Sequence, residues 1–144
     1  MSWKYIMVHH SLTKDGEVVD TLAIRRYHMM VRGWSDVGYH RLIELVLDDY
    51  VPMIGRPLNM AGAHCKEARM NHLAVGICFV GNYDLAPPPD EMLEVGAEQI
   101  SHIMRWFDIP VENIIPHNLH ANYKTCPGSK FPMDRLREMV CLKI

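Results

Sequence analysis

The sequence predicts an α/β fold, a mixed central β-sheet flanked by helices, in a single domain spanning residues 1–144. Three observations carry that expectation. Stretches with the two-residue period of strands interleave with stretches of helical period, the pattern of layered α/β domains. The run LAVGICFV at 73–80 is nearly all apolar and stops at Gly81-Asn82, as a central strand covered on both faces does. Residues 90–107 place Leu93, Ala97, Ile100, Met104 and Phe107 on one stripe of a long helix.

Taken in order, residues 4–9 suit an opening strand with Ile6 and Val8 on one face and Tyr5, Met7 and His9 on the other. A helix is expected over 21–31, capped by Asp20, with Ile24, Tyr27, His28 and Val31 at helical spacing and Gly33 as its stop. Residues 39–46 and 50–54 suit two strands joined at an Asp48-Asp49 turn. Residues 59–71 have little periodicity and read as a loop. Pro87-Pro88-Pro89 leads into the long helix, because proline is tolerated in a first helical turn. Ile114-Ile115 make a short strand, and a last helix from about residue 132 carries Met133, Leu136 and Val140 on its apolar side.

Composition narrows the function classes. A chain of 144 residues buries roughly 68–70% of the surface it exposes unfolded, enough core to fold without bridges or metal. The net charge is −2, with no clustered basic excess to mark a nucleic-acid partner. No apolar run reaches the length of a membrane span, so no membrane insertion is expected. The opening MSWKYIMVHH lacks the cationic start and apolar core of a secretory signal, so cytoplasmic synthesis is expected. Cys65, Cys78, Cys126 and Cys141 show no close-paired spacing, which suits a reducing compartment. A monomer is expected. Nine histidines point to metal or acid–base chemistry.

That chemistry concentrates between residues 116 and 128, PHNLHANYKTCPG, where two histidines, a lysine and a cysteine stand close together. A catalytic zinc takes three protein ligands, preferring His and Cys, and keeps one position open. This loop offers two, and VHHS at 8–11 offers a third. Successive strand residues face opposite ways, so only one of His9 and His10 reaches such a site, and spacing alone does not choose. A cysteine hydrolase, with Cys126 as nucleophile and His117 as base, uses the same residues differently.

Five pieces in order resemble a known family: VHHS at 8–11, GWSDVGYH at 33–40, AGAH at 61–64, NHLAVGICFVG at 71–81 and the closing H…KTCPG at 117–128. They are similar to the zinc-dependent N-acetylmuramoyl-L-alanine amidases of the small phage-lysozyme type, which share a fold with peptidoglycan recognition proteins. VHHS alone is weak, DVGYH and KTCPG in this order are strong, and together the pieces cover essentially the whole chain. The resemblance implies an amidase-like fold and a Zn2+ ion held by His9, His117 and Cys126. It makes Tyr39 and Lys124 the catalytic residues beside the metal, and it brings His64 and Asn71 to the substrate cleft. His117 and Cys126 lie nine positions apart, one more than is usual in the family, which leaves His120 as the other candidate ligand. The place of His117 directly after the Ile-Ile-Pro strand end favours His117.

The implied reaction is hydrolysis of the amide between N-acetylmuramic acid and the L-alanine of a stem peptide, on peptidoglycan or a muropeptide. Residue chemistry alone implies metal-assisted amide hydrolysis. Zinc lowers the pKa of a bound water to about 7. Lys124 supplies positive charge where an oxyanion develops, and Tyr39 orients water or donates a hydrogen bond. A phage or prophage endolysin, made without a signal and released to the wall at lysis, is one setting. A cytoplasmic amidase that recycles wall fragments is another, and a non-catalytic peptidoglycan-binding module of the same fold is a third.

Other candidates read more plainly. Cys78 belongs to the core and Cys141 is expected to be partly buried and inert. His40 alternates with Tyr39 and so faces away from the site. His28 and His102 are solvated or packing residues. Arg56 suits a substrate contact and a solvated charge equally.

Overall fold

The computed structural model describes residues 1–12 and 20–144. The opening strand, β1 (Tyr5–His10), is buried almost from end to end. The reason is its position: it runs parallel to both β4 (Ala74–Phe79) and β5 (Ile114–Pro116), which enclose it. β2 (Arg41–Val46) pairs parallel to β4 and turns back into antiparallel β3 (Asp49–Ile54). The five strands form one mixed sheet in the order β3-β2-β4-β1-β5. The apolar run read as a central strand is thus the middle of the sheet, and all six residues of β4 are buried.

Alternation then sorts side chains to two faces. Ile6, Val8, Ile43, Val75, Ile77 and Phe79 face the larger core. They pack there against Leu93, Ala97, Ile100 and Met104 of α3 (Asp90–Phe107) and Leu136 and Val140 of α4 (Met133–Cys141). The observed α3 has the bounds expected of it. Ala97 fills the stripe where the helix comes close, and Gly96 lets the Phe79 ring lie against the helix backbone.

On the opposite face, Ile24 of α1 (Thr21–Met30) packs with Val37, Leu42 and Cys78. Asp20 caps α1 as expected, its carboxylate accepting from the Ala23 N–H at 2.8 Å. Alongside, Met7, Ala74 and Ile115 pack with Cys65 and with Met70 of the one-turn helix α2 (Met70–Leu73). His9 opens onto this same face, next to its register partner Cys78.

Four local expectations need correction. The hairpin turns at Leu47-Asp48, one position early, and Asp49 is already paired in β3; Leu47 adopts a left-handed φ of 56° although it is no glycine. Residues 59–71 are not all loop, since a 3-10 turn at Glu67–Arg69 leads into α2. Ala68 and Arg69, both at positive φ, break that helical path within a turn and erase the periodicity. Val31 lies just past the end of α1 and, like Tyr27, is exposed, so the buried residues of that helix are Thr21 and Ile24. Cys141 is exposed, at the end of α4 and off the buried side that carries Leu136, Met139 and Val140. All four cysteines are free.

Candidate metal centre

Three segments far apart in sequence meet at the ends of the parallel strands. β1 delivers His9 to the cleft face and His10 to the other, where the His10 ring accepts from the Tyr83 N–H at 3.1 Å. β5 ends in a 3-10 turn at His117–Leu119, which places His117 beside His9 with ring centroids 4.3 Å apart. The chain then loops back, and Cys126 is tied to both neighbours. Its carbonyl accepts from the Asn118 N–H at 2.9 Å, and its Sγ accepts from the His10 N–H at 3.3 Å. Asp84 fixes the same loop from outside, accepting from Thr125 Oγ1 and from the Ser129 N–H, each at 2.8 Å.

One donor atom from each of His9, His117 and Cys126 lies within 4.8 Å of the other two, and all three residues are buried. His120 is not part of this group. His10 contributes its backbone to Cys126 but not its ring to the cluster, which resolves the choice that spacing left open.

Hydrogen bonding fixes which nitrogen of His9 is free. The Ala74 carbonyl can only accept, so His64 Nε2, 2.9 Å away, carries a hydrogen. In a neutral imidazole His64 Nδ1 is then an acceptor, and it takes the hydrogen of His9 Nε2 at 2.9 Å. That leaves the lone pair of His9 Nδ1 pointing to Cys126 Sγ, 3.7 Å away. Burial is the main cause that holds both rings neutral: it lowers His9 well below its ordinary pKa, and it brings His64 down to about 3. Glycines at 62 and 76 leave the space that the His64 ring occupies, since a Cβ at either would approach His64 Cδ2 to 2.5 or 2.7 Å.

The other two donors are neutral for the same reason. Burial, then the nearby Lys124 charge, lowers His117 to about 4, and burial raises the Cys126 thiol to about 12. Among the described residues, His117 Nδ1 is one of two buried polar side-chain atoms without a hydrogen-bond partner. An orphaned imidazole nitrogen next to a second imidazole and a thiol is a set that fits zinc: two nitrogen donors, one sulfur, and an open side toward the cleft.

The cleft above them has a volume of about 960 Å³. Tyr39 and Lys124 line it, as expected, and so does His64. The Tyr39 phenol is kept neutral, with its pKa raised well above the ordinary value mainly by burial, and the ring packs against the cluster that contains Cys78. Lys124 is exposed on the rim, and its charge is felt at His9, His117 and Cys126. Asn71 lies outside the cleft lining. Its Oδ1 accepts from the N–H groups of His64 and Cys65 at 2.7 and 2.8 Å, so it shapes the loop that carries His64. Arg56 is buried and donates to the carbonyls of Val37 and Ala61, so it is neither a solvated charge nor a cleft residue.

The far wall of the cleft escaped the sequence reading. Tyr27, Arg32 and Trp34 line it, with the Arg32 guanidinium about 6 Å from each ring centroid (6.0 and 5.9 Å). The available signal was an aromatic on the poorly buried side of α1 followed, just past the helix end, by an arginine and a second aromatic. His28 supports this wall by accepting from the Gly38 N–H at 2.9 Å.

The family described as N-acetylmuramoyl-L-alanine amidase matches residues 1–129. Peptidoglycan recognition protein 1 of Bos indicus is 37% identical over 98 residues, covering 62% of this chain and 48% of that protein. The endolysin of Escherichia phage T7 is 39% identical over 79 residues, covering 55% of this chain and 48% of the endolysin. The chain therefore spans about half the length of these curated relatives. Among solved structures, the N-acetylmuramoyl-L-alanine amidase LysC from Clostridium intestinale URNW superposes with a TM-score of 0.83 at 24% identity, covering 99% of this chain and 87% of that one, and so shares its fold.

Proposed function

Since the chain belongs to the N-acetylmuramoyl-L-alanine amidase family, we propose that it is a zinc-dependent hydrolase of the amide joining N-acetylmuramic acid to the L-alanine of a peptidoglycan stem peptide. The observation that carries this reading is the buried His9, His117 and Cys126 cluster on the floor of a cleft also lined by Tyr39 and Lys124. A zinc ion bound there would activate water and polarise the scissile carbonyl.

The residues of the chain supply the rest. Hydrolysis adds water across the amide, oxygen to the lactyl carbonyl carbon and a proton to the departing alanine nitrogen. Negative charge develops on the carbonyl oxygen, and a preorganised cation or donor lowers the barrier most when it is aimed at that atom. Lys124 is the cation on that rim, and its influence on all three donors supports its reach to the centre. Tyr39, held as the neutral phenol, can donate a hydrogen bond to substrate or water there. His64 keeps His9 in the tautomer that leaves Nδ1 free. In this reading His64 positions a ligand, its two ring nitrogens being already engaged. Synthesis in the cytoplasm, with access to the wall at lysis, is the setting proposed with it.

Mass spectrometry of purified muropeptides incubated with the protein tests the proposal. Stem peptides with a free L-alanine amine should appear, vanish on chelation and return with added zinc. Cleavage that survives chelation would overturn it in favour of a thiol hydrolase. Intact fragments despite confirmed bound zinc would leave a peptidoglycan-binding module. Lys124→Ala should keep zinc and lose turnover; full activity in that variant would remove Lys124 from the mechanism.

A further inference from the structure

A second group of donors lies beside the first. Cys65, Glu67 and His117 each offer an atom within 4.8 Å of the other two, the one other such group among the described residues. Cys65 is buried, and its Sγ stands 3.3 Å from Glu67 Oε2. The other carboxylate oxygen, Oε1, accepts from the Tyr123 hydroxyl at 2.6 Å. The Cys65 backbone is fixed in turn, its N–H donating to Asn71 Oδ1 at 2.8 Å. Sulfur, carboxylate oxygen and imidazole nitrogen are thus gathered and held by outer partners, as the ligands of metal sites commonly are. In a tetrahedral zinc site, ordinary zinc–sulfur and zinc–oxygen bonds put those two donors about 3.6 Å apart, close to the separation already present.

We propose that Cys65 Sγ, the Glu67 carboxylate and His117 form a second, weaker zinc position. Its occupation draws on an imidazole that the first centre also uses, so zinc in excess inhibits the enzyme. Binding would replace the thiol hydrogen that Cys65 shares with Glu67 and, since one imidazole then serves two ions through its two nitrogens, the ring hydrogen of His117 as well, releasing two protons to solvent. The inhibition rests on the zinc amidase reading given above; the binding of a second ion does not.

Zinc binding by equilibrium dialysis separates the two. The wild-type protein should take up two equivalents in two phases. Cys65→Ser should lose the weaker phase and keep the tighter one, while Cys126→Ser should lose the tighter. Glu67→Gln should weaken the second phase without touching the first. Cobalt titration of the unmodified protein gives an independent readout: the second equivalent should add a second sulfur-to-metal charge-transfer band of similar size. Muropeptide cleavage should fall as zinc exceeds one equivalent in wild type, and not in Cys65→Ser. A single equivalent, lost only in Cys126→Ser, would overturn this proposal and leave the amidase reading intact. Absence of zinc binding in the wild type and all three variants would sink both.

Discussion

His64 holds His9 through one ring nitrogen and is held by a backbone carbonyl through the other. Such outer partners usually matter to a metal centre almost as much as the ligands, their loss costing about 10–100-fold in affinity or activity. His64→Ala should therefore weaken zinc binding by about that factor with the fold retained, and nitrogen NMR should show His9 losing its single tautomer. His64→Gln, which keeps an acceptor and a donor, should recover part of the affinity; unchanged zinc binding in both would remove His64 from the centre. Asp84 works on the opposite side of the site. Its carboxyl sits below the ordinary value because it accepts first from the Ser129 N–H and then from the Thr125 hydroxyl. A carboxylate favoured in the folded state contributes fully above its unfolded pKa, about 3.9, and the contribution fades as pH falls through the lower folded value. The protection of amides in residues 125–129, their exchange taken relative to the unstructured rate at each pH, should thus hold down to about pH 4 and fall below it, whereas Asp84→Asn should show weaker protection at neutral pH that varies less with pH.

At the scale of elements, the contact of α3 with β4 depends on a missing side chain. A Cβ on Gly96 would come within 2.3 Å of Phe79 Cζ, and Phe79 is wholly buried. Alanine suits a helix better than glycine by roughly 0.5–1 kcal/mol, but overpacking a filled core costs about 1–3 kcal/mol. Gly96→Ala should therefore destabilise on balance, as a lower midpoint in urea unfolding; a stabilised variant would mean that Phe79 has room to turn. Elements of this kind were legible in the sequence, since the stripe of α3 and the apolar run of β4 state their burial in one dimension. So were His9, His117 and Cys126, whose residue types and order resemble a family pattern. What stayed hidden depends on contacts between segments. Asn71 was read toward the cleft, yet its carbonyl oxygen is committed to the His64 loop. The helical turn before β4 contains Ala68 and Arg69 in left-handed conformations, which no local propensity announces. Arg32 and its aromatic neighbours look solvated until the fold sets them in the lining of the same cleft as His9, His117 and Cys126.

For the whole molecule, the three donors come from β1, the turn after β5 and the loop before α4, so a bound ion ties together segments that separate on unfolding. A ligand that binds only the folded chain stabilises it by about 2.7 kcal/mol at a free concentration of 100 times Kd. Zinc should raise the melting temperature of the metal-free protein in a concentration-dependent manner, and Cys126→Ser should abolish that rise; an equal rise in the variant would place the stabilising ion elsewhere. The sheet order has a further consequence during synthesis. β1 is made first but fits between two strands made later, and His9 precedes Cys126 by 117 positions. At about 5–20 residues per second, the ribosome adds Cys126 roughly 6–23 s after His9. Until then His9 has no sulfur partner, and β1 waits for both neighbours. A translation product that stops short of residue 126 is therefore expected to bind no zinc at this cluster, which makes the three-donor site among the last features the growing chain completes.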